Sequence, residues 1–195
     1  MPKVVNHEER RREVTEVSAR LVIEHGRTAL TVRNVAEAAG YSTTVVSHYF
    51  LDMAELFFET YNFAASRSAL RLKRVLDADP SDIVGFMEAL LPLDKQRSDD
   101  WVVWFAFWSE ALTSPRFAIV QRDRARNAVT RIEKCLAVLR QQKAISPGID
   151  IKKAADRLAA LIPGIASEAA FDPQKWPAER QRAVLRSELS LIGIH

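Results

Sequence analysis

The stretch Thr31–Phe50, TVRNVAEAAGYSTTVVSHYF, carries two helix-start signals and one helix-stop signal within a short span. Thr31 is placed to cap a first helix, whose Val35, Ala36, Ala38 and Ala39 give it a thin, small-residue inner face. Gly40 sits where a helix-ending residue with positive φ is wanted. Ser42 is then placed to cap a second helix by accepting from a backbone N–H further on. Two small-faced helices meeting at a glycine corner predict a helix-turn-helix, the arrangement in which the second helix enters the DNA major groove.

The second helix divides by side-chain chemistry. At about 100° per residue, Thr43, Thr44, Ser47 and His48 fall on one half of the cylinder, and Val45, Val46, Tyr49 and Phe50 on the other. The apolar half can dock on the preceding helices. The opposite half carries short polar groups that reach base edges or phosphate oxygens. An ordinary amphipathic hairpin with a polar outer face satisfies the same pattern, so this segment alone leaves both readings open.

Upstream, Val14, Val17, Leu21 and Val22 recur at the spacing of a buried stripe and predict a helix from about Glu8 to His25, ended by Gly26. Arg10, Arg11 and Arg12 near its start either flank a DNA backbone or form a solvated first turn. Arg27–Leu30 reads as a loop. The net charge of +3 permits a nucleic-acid partner without demanding one. Residues 1–50 hold seven Lys and Arg, Lys3 among them, against six Glu, so any field on a DNA-facing surface comes from arrangement and not from total charge.

The residues Gly26, Thr31, Val35, Ala36, Ala39, Gly40, Ser42, Tyr49, Phe50, Asp52 and Leu56 keep a common spacing that resembles the N-terminal domain of the TetR family of bacterial repressors. The resemblance covers about 50 residues and implies a homodimer, a three-helix DNA-binding head and a helical C-terminal body that senses a small molecule. With it, Thr43, Thr44, Ser47 and His48 are expected at base edges, and Arg33, Ser42 and Tyr49 (through its hydroxyl) at the backbone. Two positions depart from the family. Thr44 stands where a glycine is frequent, and Met53 stands where a lysine usually touches a phosphate. A lost phosphate contact lowers affinity without changing which sequence is read.

Downstream, a long helix is expected from Met53 to about Leu76, broken by the acidic, proline-containing Asp77–Asp82. A further apolar helix, Ile83–Leu93, is closed by Pro92 and the charged KQRSDD stretch. Asp100–Leu112, DWVVWFAFWSEAL, holds three of the four tryptophans. Trp101, Trp104, Phe105, Trp108 and Leu112 share one face of it, which is either an aromatic core helix or the lining of a ligand cavity. Indole faces attract cations, and aromatic cages take quaternary ammonium groups. Trp104, Phe107 and Trp108, the long helix after them, the segment Ala160–Ile165 and the head's Ser47–Phe50 resemble BetI-type regulators. That resemblance implies a choline-like effector.

Pro115 starts a helix to about Lys143 with Val129, Ile132, Leu136 and Leu139 as its seam, and Cys135 beside it as a small core residue. The last two helices are expected at about Ile151–Phe171 and Pro177–Ile192. Pro163-Gly164 predicts a kink in the first, and Leu185, Leu189 and Ile192 form a stripe on the second. Ala159, Ala160, Ile165, Ala166, Ala169 and Ala170 offer a small-residue surface for another helix. The resemblance implies that this pair forms the dimer interface, the alternative being a capping pair on a monomer's own core.

The expected fold is all-α, with an N-terminal three-helix helix-turn-helix DNA-binding domain (1–52) and a C-terminal helical-bundle domain for effector binding and dimerisation (53–195). The four histidines lack metal-ligand spacing, and neither a phosphate loop nor a nucleophile elbow occurs, so no catalytic residue, metal or cofactor is expected. A single cysteine and a polar N-terminus without an apolar leader core fit the cytoplasm. No apolar run is long enough to span a bilayer. The expected partners are a double-stranded DNA operator, a second copy of the chain through the last two helices, and a small-molecule effector. A helical protein-interaction module with a vestigial head is the competing class.

Overall fold

The computed structural model describes residues 7–194, and every regular element among them is helical. In order these are α1 (His7–His25), α2 (Val32–Ala39), α3 (Thr43–Tyr49), α4 (Met53–Ala78), α5 (Ile83–Glu88), α6 (Lys95–Ala111), α7 (Pro115–Gln141), α8 (Ile151–Phe171) and α9 (Ala178–Ser190). The leader expectation and Lys3 fall on residues 1–6, outside the described residues.

Local signals set the head. Gly26 takes φ +77° and ends α1, and Gly40 takes φ +69° and ends α2. Nothing lies within 4 Å of where a Cβ on Gly40 would stand, so the left-handed backbone, and not crowding, is what favours glycine there. The Thr31 side chain accepts from the Asn34 N–H, and Ser42 accepts from the Val45 N–H. Val35 and Ala36 face inward on α2, whereas Ala38 is exposed. Arg27–Ala29, expected as plain loop, forms a short 3-10 turn.

The long α4, 26 residues and about 39 Å by helical rise, runs through both halves of the molecule. Its Leu56, Phe57 and Tyr61 join Val14, Val22, Val35, Val46 and Phe50 in one buried cluster, to which α6 adds Val103 and Phe107 and α7 adds Phe117. Leu72 of α4 lies instead in a second cluster built from α5 to α9. The head therefore shares its core with the body. Two ion pairs reinforce the junction, Arg27–Glu110 at 3.7 Å and Asp52–Arg116 at 3.4 Å.

Several helix bounds and faces need correction. The helix expected over 83–93 stops at Glu88: Pro92 has no N–H to return to the Glu88 carbonyl, and side chains from neighbouring helices supply donors to the carbonyls left over. Arg97 donates to the Glu88 carbonyl at 2.9 Å, Arg71 to that of Ala89 at 3.4 Å, and Trp101 Nε1 to that of Leu90 at 2.8 Å. The following proline also disfavours helix at Leu91. The charged stretch after it is the first turn of α6, started by Asp94 accepting from the Arg97 N–H at 2.9 Å. Leu112 does not share the buried aromatic face; it follows the last residue of α6 and is 88% exposed. Pro177 stands one position before the first helical residue of α9, and that helix ends at Ser190.

α8 runs unbroken through Pro163, which has no N–H for the Ala159 carbonyl. The small residues read as one surface on α8 divide between two sides. Ile165, Ala166 and Ala169 are buried against the chain's own core, while Ala160 and Ala170 are exposed. On α9, Leu185 and Leu189 are buried, as is Ile192 just after it.

Candidate nucleic-acid interface and effector cavity

α3 is anchored by its apolar half. Val46 and Phe50 are buried, and Val45 and Tyr49 half-buried. Each fully buried side chain of this size contributes about 1.5–3 kcal/mol. Thr43, Thr44, Ser47 and His48 are all exposed on the opposite side, alongside Ser42. Arg33 is exposed on α2 and makes no ion pair among the described residues. Ser42 uses an oxygen lone pair for its cap, which leaves its hydroxyl proton available to a phosphate oxygen. The Tyr49 hydroxyl lies 3.2 Å from Nδ1 of His7, so α1 engages the group expected to meet the DNA backbone. Met53, at the departure from the family's lysine, packs against the head cluster.

Arg11, expected to flank DNA or to be solvated, is not free in solvent: it holds the end of α3. Its guanidinium donates to the Tyr49 carbonyl, pairs with Glu55 at 2.9 Å, and lies 4.5 Å from the Phe50 ring centroid. Glu55 in turn accepts from the Leu51 N–H at 2.7 Å. The hydrogen bond from Arg11, with that of Leu51, holds the Glu55 carboxyl below its ordinary pKa. Asp52 caps α4 by accepting from the Glu55 N–H at 2.6 Å, a bond that with the Arg116 charge lowers its pKa too. The other two arginines stay peripheral, Arg10 over the Tyr41 ring and Arg12 on Glu16.

In the body, α4, α6, α7 and α8 line a half-open cavity of about 680 Å³. Trp101, Trp104 and Trp108 line it. Phe105 does not; its ring packs against those of Trp101, at 5.2 Å, and Trp108, at 5.7 Å. Tyr61 of α4 also lines the wall. Its hydroxyl donates to Gln121 Oε1 at 3.1 Å, and burial raises its pKa against the nearby Arg124 charge. The Arg124 guanidinium stands 4.5 Å from the Tyr61 ring centroid and donates to Asn62 Oδ1 at 2.6 Å. No sequence signal singles out Tyr61 or Arg124, since each is one amphipathic-helix residue among many until the helices are packed. Behind Trp101, the buried Asp100 carboxylate is held by Arg67 and, at 3.1 Å, by Arg71. Burial raises the Asp100 pKa and the two guanidinium groups pull it back.

A helix-turn-helix with a bare polar face, carried on an all-helical body, defines a helical DNA-binding regulator. Residues 14–60 match the family model of bacterial regulatory proteins of the tetR family, and residues 81–193 match that of the BetI-type transcriptional repressor C-terminal domain. The chain is 26% identical over 197 residues to the HTH-type transcriptional regulator PksA of Bacillus subtilis, covering 100% of this chain and 95% of that protein. It is 32% identical over 169 residues to the HTH-type transcriptional regulator BetI of Burkholderia cenocepacia, covering 85% of this chain and 84% of the relative. A crystal structure of a transcriptional regulator from Saccharomonospora viridis in complex with choline superposes with a TM-score of 0.87 over 94% of this chain and 96% of that one, at 20% identity, a likeness of fold. The chain belongs to the TetR family of transcriptional regulators, with a BetI-type C-terminal domain. It is a DNA-binding regulator and not an enzyme. No helix among the described residues is long and apolar enough to cross a membrane.

Proposed function

We propose that this protein is a homodimeric repressor that binds a near-palindromic operator and is released when a small molecule enters the α4–α6–α7–α8 cavity. The observation that carries the reading is the split of α3, with Thr43, Thr44, Ser47 and His48 bare and Val46 and Phe50 anchored. Residues 1–52 hold the DNA-reading groups and 53–195 the effector and dimer functions. Thr43, Thr44, Ser47 and His48 read base edges, while Arg33, Ser42 and Tyr49 fix the backbone. For Tyr49 this requires its hydroxyl to exchange or share the His7 contact.

The dimer reading rests on the outer face of the last two helices. Gly164 and Ala183 are exposed there, and Phe171, at the end of α8, is 86% exposed. Small residues let a second pair of helices approach closely, and Phe171 gains burial from such a partner. Two heads about 34–36 Å apart then meet successive major grooves. An effector bound more tightly by a dimer with another head spacing lowers operator affinity by shifting that population.

The BetI-type C-terminal domain and the choline bound to the Saccharomonospora regulator make choline the reference ligand for this cavity, whose lining includes Trp101, Trp104 and Trp108. Footprinting upstream of the protein's own coding region, with light scattering on the free protein, tests the whole reading. A protected inverted repeat and a dimer mass support it. Sequence-blind, salt-fragile binding by a monomer refutes it and favours an interaction module with a vestigial head.

A further inference from the structure

We infer that the molecule held in this cavity is an apolar anion, an aromatic or alkyl carboxylate, and not a quaternary ammonium compound. The inference rests on the cavity being the effector site and names the chemical class it takes.

Aromatic content alone favours a cation, but the charges around the rings reverse that preference. The lining includes two arginines, Arg124 and Arg131, and neither Asp nor Glu. Arg124 spends one N–H on the neutral Asn62 oxygen, and neither arginine has a carboxylate partner among the described residues. The Tyr61 face that a quaternary ammonium group would occupy already carries a cation, the Arg124 guanidinium at 4.5 Å. The nearby Asp100 offers no compensation, because Arg67 and Arg71 place two positive charges against its one negative. A cationic guest would meet repulsion with no counter-charge to offset it.

The hydrogen-bonding inventory points the same way. The Trp104 indole N–H is buried without an acceptor, and an indole can only donate. The Trp101 N–H is spent on the Leu90 carbonyl, and Gln121 Oε1 already accepts from Tyr61. Besides the two-way Ser68 hydroxyl and Asn127 amide, what the wall leaves open is guanidinium and indole N–H donors, which a carboxylate accepts and an ammonium group cannot. The neutral Ser68 and Asn127 side chains on the wall suit a hydroxyl elsewhere on the guest. Leu72, Leu90, Ile132 and Ile162 supply the apolar part of the lining.

The test uses three probes on the full chain: 8-anilino-1-naphthalenesulfonate, an aromatic anion; N-phenyl-1-naphthylamine, its uncharged analogue; and choline. Probe fluorescence, calorimetry and release of an operator fragment are read for each. The expected result is one anion site per chain, about tenfold tighter than for the neutral analogue, the difference made by one charge-assisted contact. Decanoate displaces the bound anion and decanamide does not. Arg124→Met brings the anion down to the neutral probe's affinity while leaving the neutral probe unchanged, and Arg124→Lys restores most of the preference. Equal or tighter binding of the neutral probe, indifference of the anion to Arg124→Met in a variant of unchanged helix content, or choline binding more tightly than the anion overturns the inference. Should Arg124→Met unfold the body, the wild-type ratio of anion to neutral probe decides alone. If the neutral probe binds and releases DNA as well as the anion, the ligand class is wrong and the effector site stands. If the anion binds through Arg124 and the operator complex ignores it, the ligand class stands and the effector function falls. If no probe binds, both fall.

Discussion

The phenol ring of Tyr61 lies flat on the ring of Phe107, their centroids 3.8 Å apart and their planes 12° from parallel. Tyr61 lines the cavity, and Phe107 belongs to the core shared with the head, with Phe57 at 5.9 Å and Phe117 at 5.0 Å. Arg27, in the turn between α1 and α2, lies over the Phe57 ring at 4.4 Å. A guest that moves Tyr61 therefore presses on the packing that holds α1 and α4 together, the geometry that sets the direction of α3.

Replacing Phe107 with leucine keeps an apolar side chain but removes the flat contact. The effector, or the anionic probe in its place, is expected to bind with little change. Its effect on operator affinity, about 1–3 kcal/mol for a typical allosteric coupling, is expected to fall by more than half. Operator titrations with and without ligand measure both quantities; an undiminished ligand effect would show that the stack transmits nothing.

His48 sits bare on the polar side of α3. His48→Ala is expected to weaken binding to the operator by about 1–3 kcal/mol and to leave binding to unrelated DNA nearly intact. Equal losses on both DNAs would move His48 from base reading to backbone contact.

The Arg11–Glu55 pair ties the end of α3 to the start of α4. Glu55 has a folded-state pKa below its ordinary value of 4.5, so its stabilising contribution is present above that pH and is lost as the pH falls through the depressed value. The amide protons of α3 are expected to lose exchange protection in acid before those of α8 do. Glu55→Gln flattens that dependence and, because both side chains are partly exposed, costs only about 1 kcal/mol. A variant with the wild-type acid profile would remove Glu55 from the account.

Asp100 is fully buried between two arginines that are themselves largely covered. Asp100→Ala leaves both cations without their counter-charge and is expected to cost about 3 kcal/mol in thermal or denaturant unfolding. A loss below about 0.5 kcal/mol, the range of an ordinary surface change, would mean that water or the cavity already solvates the guanidinium groups.

Cys135 is buried, its thiol 3.5 Å from the Pro80 carbonyl, and burial pushes its pKa up to about 11. The native protein at pH 8 is expected to resist a disulfide-exchange reagent, and the denatured chain to react with one thiol. Rapid native labelling would show α7 opening on the reaction time scale.

Much of the head was legible before any packing was known, because its signals act within a few residues. Thr31, Gly40 and Ser42 fix helix ends through their own hydrogen bonds and φ, and the greasy and polar sides of α3 follow from helical pitch alone. The second helix of the body pair, α9, shows its buried Leu185 and Leu189 by the same logic. The stop of α5 was legible only in part, through Pro92, because the donors that take over its last carbonyls come from Arg71, Arg97 and Trp101 on other helices.

Amino-acid order alone thus settled where most helices start, which side of each is apolar, and which four side chains of α3 are free to meet a duplex. Packing settled the rest: that Arg11 holds the end of α3, that Tyr61 and Arg124 face the cavity while Phe105 does not, and that Leu112 is outside. Helix ends and faces depend on spacings of three or four residues, which a chain carries in itself. A cavity's shape and charge depend on what three or four separate helices bring to one point, and no spacing along the chain encodes that meeting.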